Sequence, residues 1–265
     1  RYLVNDAVFV FGGQGSYRPG LGSNLWHESG AARKHTDMCL EILQSLDYQY
    51  ADKLCETLTK ENSGALEELS TAPQQLLIAI SEYAIGKVLI EAGIQPSYVL
   101  GHSLGEYIAA TIAGKLSIKT ALDILAQRSL LIEREGVIGT LLAINANKEA
   151  IKEIATRHNC EIALCNSDTS VVVGGSLRSI ESLSKELDQD IVQHRLNLTV
   201  AYHTKHASKI AETIRGLHFE TASNLADCHF ISCMTGDDYA GQTDAAYWAA
   251  QVESPVLFGK ALANL

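Results

Sequence analysis

The sequence has no excess of basic residues and no long apolar stretch. Its 265 residues include 21 lysines and arginines against 31 aspartates and glutamates, for a formal net charge of −10. A nucleic-acid-binding domain needs a basic face, so this charge argues against a nucleic-acid partner. No apolar run approaches the roughly 18 residues that a membrane-spanning helix requires, and no membrane partner is expected either.

Metal-binding, disulfide and secretion signals are also missing. The six cysteines form no C-x-x-C pair and match no zinc-finger spacing, so no metal site is predicted. The first residues lack the ordered charged region, apolar core and cleavage site of a signal peptide. We expect reduced, mostly buried thiols in a cytoplasmic protein. The lack of an initial methionine is consistent with a domain cut from a longer chain.

The pattern of apolar residues predicts an α/β domain followed by a different unit. Buried strands are predicted at 8–11 and 98–100, and helices at 74–92 and 118–134, the last with Ser117 as its N-cap. Strands and helices in this order favour a parallel sheet.

After Gly136 the order of predicted elements becomes strand, helix, strand, strand, helix, strand. Over about sixty residues this βαββαβ order is the signature of a ferredoxin-like unit. We therefore expect a large α/β domain with a parallel sheet at 1–135 and 199–265, and a small ferredoxin-like domain inserted at 136–198.

The motif GHSLGEY begins at Gly101, between a predicted strand and a predicted helix. This is the context of a nucleophile elbow, a sharp turn that presents a serine, here Ser103, at a helix N-terminus. Glycines are needed at 101 and at Gly105 because side chains there would collide with the neighbouring backbone. The helix amides and dipole would stabilise an oxyanion. The alternative is that Ser103 only caps the helix.

A second glycine-rich loop, FGGQGS, follows the first predicted strand. A dinucleotide-binding interpretation fails because Arg18 occupies the position of the third glycine. Backbone amides of such a loop bind anions, and we interpret Gln14 as a donor that faces Ser103. The alternative is a purely structural turn.

Arg128 lies on the apolar stripe of the helix predicted at 118–134, with Ala121, Leu125 and Ile132. A guanidinium on an apolar face needs a carboxylate partner, because an unpaired buried charge is costly. Either an internal Asp or Glu or a substrate carboxylate would supply it through bidentate geometry. The spacing alone slightly favours the internal ion pair.

His203 follows the predicted small domain, at the start of a predicted helix. Histidine is the side chain most often used as general base for a serine hydroxyl. A metal pair with His206 is the weaker alternative, since no third ligand is placed nearby. Tyr202 either shapes an acyl pocket or is an ordinary core residue.

Taken together, FGGQGS, GHSLGEY, an arginine 25 positions after the serine, and YHT resemble malonyl-coenzyme A:acyl carrier protein transacylases. The closing YWAAQVESPVLFGKAL is similar to the acyltransferase domains of type I polyketide synthases. The resemblance covers nearly the whole chain. It implies an α/β-hydrolase-like large domain with a ferredoxin-like insertion. The implied reaction moves a malonyl-type unit from coenzyme A to a carrier protein, in polyketide or fatty acid biosynthesis.

The resemblance also implies catalytic roles. Ser103 would be the nucleophile and His203 the general base. Gln14 and the backbone amide of Leu104 would form the oxyanion hole. The backbone carbonyl of Ser254, rather than an acidic side chain, would orient the histidine.

For the substrates, the resemblance implies that Arg128 holds the carboxylate of the extender unit, with Tyr202 and His102 beside the acyl group. No permanently bound cofactor is implied, and a coenzyme A thioester such as malonyl-coenzyme A is a substrate. The implied protein partners are an acyl carrier protein and neighbouring synthase domains such as a ketosynthase. One departure is Ala72, where the family often has glutamine. Leu104 and Tyr202 are closer to malonyl-type than to methylmalonyl-type domains.

Two other functions compete with this one. An α/β-hydrolase-type esterase or thioesterase would share the elbow, but it should carry an HGGG-like loop, which is absent. A non-catalytic carrier-docking module should have lost part of the constellation, yet Ser103, His203 and Arg128 are all present.

Overall fold

Two compact units make up the chain. The computed structural model describes residues 4–60, 68–136, 138–219, 221–222 and 227–265. The first unit comprises Arg1–Leu130, Phe219–Ile231 and Asp238–Thr243, and the second comprises Leu131–His218, Ser232–Asp237 and Asp244–Leu265.

In chain order the described strands and helices are β1 (Val4–Phe11), α1 (Ser23–Glu28), α2 (Gly30–Ser45), α3 (Ala51–Thr59), α4 (Thr71–Glu91), β2 (Ile94–Gly101), α5 (Gly105–Ile112), α6 (Ile118–Glu135), β3 (Thr140–Ile144), α7 (Lys148–Arg157), β4 (Glu161–Ser167), β5 (Ser170–Gly175), α8 (Leu177–Glu186), β6 (Gln193–Arg195), α9 (Ser208–Arg215), β7 (His229–Ile231), α10 (Ala245–Glu253) and α11 (Phe258–Ala263). In the first half of the chain, β1 is followed by four described α-helices and β2 by two, and the elements from β3 to β6 then form a βαββαβ series.

The first unit is built on a three-stranded parallel sheet. The order is β1-β2-β7, with Phe11 opposite Gly101 and Val99 opposite Phe230. The central strand β2 therefore ends beside the end of β1, and this brings the two glycine-rich segments of the sequence to one edge of the sheet. The predicted parallel sheet is confirmed.

More than half of the residues of helix α4 are buried. Its apolar residues recur on every side, and Leu76, Leu77, Ile78 and Ile80 are fully buried. A helix that is apolar all round is stable only when neighbours cover it; α4 packs against α2, α5 and β2.

The N-cap predicted for α6 is confirmed, because the side chain of Ser117 accepts a hydrogen bond from the amide of Thr120 at 3.0 Å, as an N-cap does.

The second unit contains a four-stranded antiparallel sheet in the order β4-β5-β3-β6. The elements β3, α7, β4, β5, α8 and β6 follow the predicted βαββαβ order. The apolar face of the sheet packs on α7 and α8 in a core that includes Leu142, Ile144, Val171, Val173, Ile151, Ile180 and Leu183. The predicted ferredoxin-like topology is confirmed.

The segment after β6 leads to His203 and then to α9. The side chain of Thr204 caps a short 3-10 turn at Lys205–Ala207, and α9 begins only at Ser208. The helix predicted to start at His203 therefore starts five residues later, because the histidine has a left-handed backbone conformation, with φ of 62°. Helix α9 packs against α10 in the same unit. None of the helices in the described ranges is long and apolar enough to cross a membrane.

Candidate active site

Ser103 lies in a sharp turn between β2 and α5. Its φ is 55°, a left-handed conformation that is uncommon for a residue with a side chain. Strained backbone conformations of this kind cluster at functional sites. A Cβ atom at Gly101 would lie 2.1 Å from the backbone nitrogen of Glu106, and one at Gly105 would lie 2.3 Å from the carbonyl oxygen of Gly12. Both glycines are therefore required by close backbone contact. The strand–turn–helix context expected of a nucleophile elbow is present.

The first amides of α5 are used within the turn itself. The amides of Gly105 and Glu106 donate to the carbonyl oxygens of His102 and Ser103 at 3.1 Å each. Leu104 directly follows Ser103 in the sequence, so its backbone amide comes before those of Gly105 and Glu106. The Leu104 side chain is buried. A helix N-terminus beside a serine provides the polarity that a developing oxyanion needs.

The glycine-rich loop after β1 lies against the elbow. The amide of His102 donates to the carbonyl oxygen of Phe11 at 2.8 Å. A Cβ atom at Gly13 would lie 2.9 Å from the carbonyl oxygen of His102, so the loop and the elbow touch through their backbones. Gln14, the next residue, begins a 3-10 turn that ends at Ser16. The structure thus brings the loop with Gln14 to the same place as the serine.

Two side chains of α4 hold this loop, and neither was predicted. The Gln14 side-chain amide donates to Gln74 at 2.8 Å, and Gln74 donates in turn to the carbonyl oxygen of Leu69 at 2.7 Å. The amide of Gly12 donates to a carboxylate oxygen of Glu82 at 2.7 Å. In the sequence, Glu82 stands out only as an acidic residue inside the apolar run of α4. Nothing in the sequence links it to a loop 70 residues away.

Arg128 is buried on the predicted stripe of α6. It is 3% exposed, and Ala121, Leu125 and Ile132 of the same stripe are also buried. Its guanidinium carbon lies 5.8 Å from the centre of the Tyr107 ring, within the range of a cation–π contact. Since Tyr107 lies four residues after Ser103, the guanidinium packs beside the first turn of α5.

His203 in the second unit is held by main-chain groups. It is 2% exposed, and its amide donates to the carbonyl oxygen of Val252 at 2.8 Å. Its Nδ1 atom lies 3.0 Å from the carbonyl oxygen of Gln251 and 3.2 Å from that of Ser254. Because a carbonyl oxygen only accepts, Nδ1 carries the proton and Nε2 carries the lone pair. Neutral His203 therefore has the tautomer of a general base at Nε2. The Gln251 carbonyl was not predicted, since main-chain acceptors leave no mark on residue type.

The neighbours of His203 have ordinary structural surroundings. Tyr202 is buried, and its ring centre lies 6.3 Å from that of His203. The side-chain hydroxyl of Thr204 accepts a hydrogen bond from the backbone amide of His206 at 3.2 Å. Throughout the described ranges, no three His, Cys, Asp or Glu side chains are grouped so as to hold a metal ion.

The six cysteines all lie in the described ranges and form no disulfide bond there, and most of them are buried. Burial raises the pKa of the Cys39 thiol to about 12 and that of Cys160 to about 11. Such thiols stay protonated near neutral pH and make poor nucleophiles. The serine is therefore the stronger candidate for covalent chemistry.

The comparison with known families agrees with this geometry. The model of the acyl transferase domain family matches residues 8–265. The chain belongs to this family. As an acyltransferase domain it is 28% identical over 270 residues to the highly reducing polyketide synthase VdtX of Byssochlamys spectabilis. That alignment covers 98% of this chain but 12% of the synthase, so the chain spans only a small part of that relative.

Solved acyltransferase structures share the fold. The acyl transferase domain of SpnD, in complex with 2-(pent-4-yn-1-yl)malonyl, matches with a TM-score of 0.82 and 26% identity over 98% of this chain and 62% of that one. The malonyl-CoA:ACP transacylase of Synechocystis sp. PCC 6803 matches with a TM-score of 0.75 and 23% identity, over 99% of this chain and 86% of that one. The predicted family and the predicted fold class are confirmed.

Proposed function

We propose that this acyltransferase domain moves a malonyl unit from coenzyme A to the phosphopantetheine thiol of an acyl carrier protein, through an ester on Ser103. The observation that carries the proposal is the strained position of Ser103, with φ of 55°, at the turn between β2 and α5. A serine held there presents its hydroxyl next to a helix N-terminus. Because the acyl group is held as an ester on the enzyme, the same site can first release the coenzyme A thiol and then react with the carrier thiol.

In the first half-reaction the Ser103 oxygen attacks the thioester carbonyl while its proton passes to Nε2 of His203. The C–S bond then breaks, and the coenzyme A thiol leaves with that proton. In the second half-reaction the carrier thiol gives its proton to His203 and attacks the ester, and Ser103 regains its hydrogen. The two Nδ1 contacts to carbonyl oxygens support this role, since they leave the lone pair on Nε2.

The tetrahedral intermediate of each half-reaction carries a negative oxygen. We assign its stabilisation to Leu104, through its backbone amide, and to Gln14. The contact between the Gln14 loop and the elbow supports this assignment. Loss of one such donor typically slows a reaction by about 10²–10³-fold.

Malonyl specificity is assigned to Arg128. A buried guanidinium beside the first turn of α5 has the charge and the geometry to bind a carboxylate through two hydrogen bonds. A relative at 26% identity is bound to a substituted malonyl group, which supports an acyl group of this class. His102 and Tyr202 complete the proposed acyl-binding residues.

The domain boundaries at 1–135, 136–198 and 199–265 remain a prediction, as do the cytoplasmic location and the partners. The carrier protein and a neighbouring ketosynthase are proposed from the similarity to polyketide synthases. In such a protein this domain would select the extender unit.

The test is a transfer assay with this chain, an acyl carrier protein and either malonyl-coenzyme A or acetyl-coenzyme A. Mass spectrometry of the carrier should show a malonyl thioester, with ping-pong kinetics in the two substrates. An esterase would instead release free malonate without loading the carrier. A docking module would do neither, and either of these results would contradict the proposal.

A further inference from the structure

We propose that Glu82 is a positioning residue: it holds the turn of Gly12 and Gly13, and with it Gln14, against the nucleophile elbow. This inference rests on the proposed function, because it assigns Glu82 a part in shaping the oxyanion hole. Glu82 itself touches no reacting atom in this account.

The contact that carries the inference joins two distant parts of the first unit. The backbone amide of Gly12 donates to Oε1 of Glu82 at 2.7 Å, across 70 residues of sequence. Gly12 is the first residue after β1, where the sheet no longer supplies hydrogen-bond partners. The carboxyl group of Glu82 therefore accepts the hydrogen bond of this amide at the point where the chain leaves the strand.

Gly12 in turn contacts the elbow. A Cβ atom at Gly105 would lie 2.3 Å from the carbonyl oxygen of Gly12 and 2.5 Å from that of Phe11. On the other side of Ser103, Gly13 lies against the carbonyl oxygen of His102. A shift of Gly12 would therefore move backbone that touches both flanks of the serine. Displacements of about 1 Å in catalytic groups cost up to about 10²-fold in rate.

The surroundings of Glu82 give it no other partner in the described ranges. Its Oε2 atom is buried and makes no hydrogen bond there. Glu82 borders a pocket of about 290 Å³ that is open to solvent on one side, where Val8, Val10 and Ile85 are exposed, and is otherwise lined by apolar residues of two elements: Phe9 and Phe11 of β1, and Gly86 and Leu89 of α4. A carboxyl group in such a place costs free energy. The hydrogen bond from the amide of Gly12 offsets part of this cost.

Burial raises the pKa of Glu82 to about 8, and the Gly12 hydrogen bond lowers it only in part. No charge on a neighbouring element is among the causes of this shift, which are burial and the Gly12 hydrogen bond. At neutral pH the group is therefore mostly a neutral acid. Its carbonyl oxygen still accepts from Gly12, so a neutral amide of the same shape should replace it.

The experiment compares Glu82→Gln, which keeps an acceptor, with Glu82→Leu, which removes it. Hydrogen exchange of the peptide that contains Gly12 and Gly13 reads the turn directly. We expect exchange at these amides to rise roughly 10-fold or more in Glu82→Leu, because a buried donor loses its partner. The rate of Ser103 acylation by malonyl-coenzyme A should fall by about 10- to 100-fold, with KM within about 3-fold of wild type. Glu82→Gln should restore both readouts to within several-fold.

The control is Glu91→Gln on the same helix. Glu91 pairs with His35 and Lys34 and does not hold the loop, so neither readout should change. If Glu82→Leu fails to fold, Glu82→Asp replaces it, since it keeps the carboxyl but withdraws it from Gly12 by one methylene. It should then show both losses to a smaller extent.

The inference is overturned if the folded variant without the acceptor exchanges and acylates like wild type. It is also overturned if acylation slows while the turn stays protected, or if KM rises and the acylation rate does not fall. If wild type itself forms no malonyl ester, the proposed function has failed, while the exchange data still test the contact between Glu82 and Gly12.

Discussion

The Nδ1 atom of His203 lies 3.2 Å from the backbone carbonyl oxygen of Ser254. A second carbonyl oxygen, that of Gln251, lies 3.0 Å from the same nitrogen. The tautomer of this histidine is thus fixed by main-chain atoms, as the resemblance to malonyl transacylases implied for Ser254. The orientation of this imidazole accordingly depends on the main chain at the end of α10.

The base is tested by comparing two histidines three positions apart. We expect His203→Ala to slow acylation of the enzyme by at least about 10²-fold, the usual contribution of a positioned general base. His206→Ala should stay within a few-fold of wild type. Single-turnover mass spectrometry with malonyl-coenzyme A measures both rates. The opposite order of effects would mean that the wrong histidine was chosen.

The contact between the loop and the elbow predicts an effect on stability. Gly105→Ala places a methyl group 2.3 Å from the carbonyl oxygen of Gly12, so the backbone must shift. We expect the free energy of unfolding to fall by about 1–3 kcal/mol or more, as for other overpacked sites. Gly30→Ala is the control, because no atom lies within 4 Å of its added methyl group. Equal stability of the two variants in urea would contradict the packing described for the elbow.

The buried carboxyl of Glu82 predicts a pH dependence. Its pKa is about 8 in the folded chain against an ordinary value of 4.5, so the unfolded chain releases this proton at lower pH. The contribution of this group to stability is then complete below pH 4.5 and is lost as pH rises towards 8. Between pH 5 and pH 9, Glu82→Gln should gain about 4 kcal/mol relative to wild type. Parallel stability curves for the two proteins would refute the assignment.

Local patterns in the sequence predicted much of the fold. The βαββαβ order was readable because each short apolar run in the second unit is bounded by turn residues, and α6 was placed to within one residue by Ser117 and its apolar stripe. The delayed start of α9 was not readable. It depends on the positive φ of His203, which its contacts with α10 impose and no local signal marks.

The candidate site was predictable where residue type carries the chemistry. Ser103 between two glycines, and Arg128 on an apolar stripe, are conspicuous in sequence. Glu82 was missed because its partner is a backbone amide 70 residues away. The same holds for Gln251, which acts through its carbonyl oxygen. Of these long-range contacts to main-chain atoms, only that of Ser254 was implied by the sequence, and it was implied through the family resemblance.

Selectivity for the acyl group tests the role of Arg128. A carboxylate bound through two hydrogen bonds contributes on the order of 2–4 kcal/mol, including the charge left unpaired without it. Arg128→Ala should therefore reduce malonyl transfer by roughly 30- to 1000-fold, while acetyl transfer changes little or increases. Arg134→Ala, at the exposed end of the same helix, is the control. Equal losses with both donors would show that Arg128 is a structural residue.

The central claim is that Ser103 carries the acyl group, and the intact mass of the protein after brief incubation with malonyl-coenzyme A tests it most directly. The wild-type chain should gain one malonyl group, and the group should leave when a carrier thiol is added. Ser103→Ala, which keeps both glycines of the elbow, should gain none. A malonyl group that still appears on the Ser103→Ala protein would contradict the account.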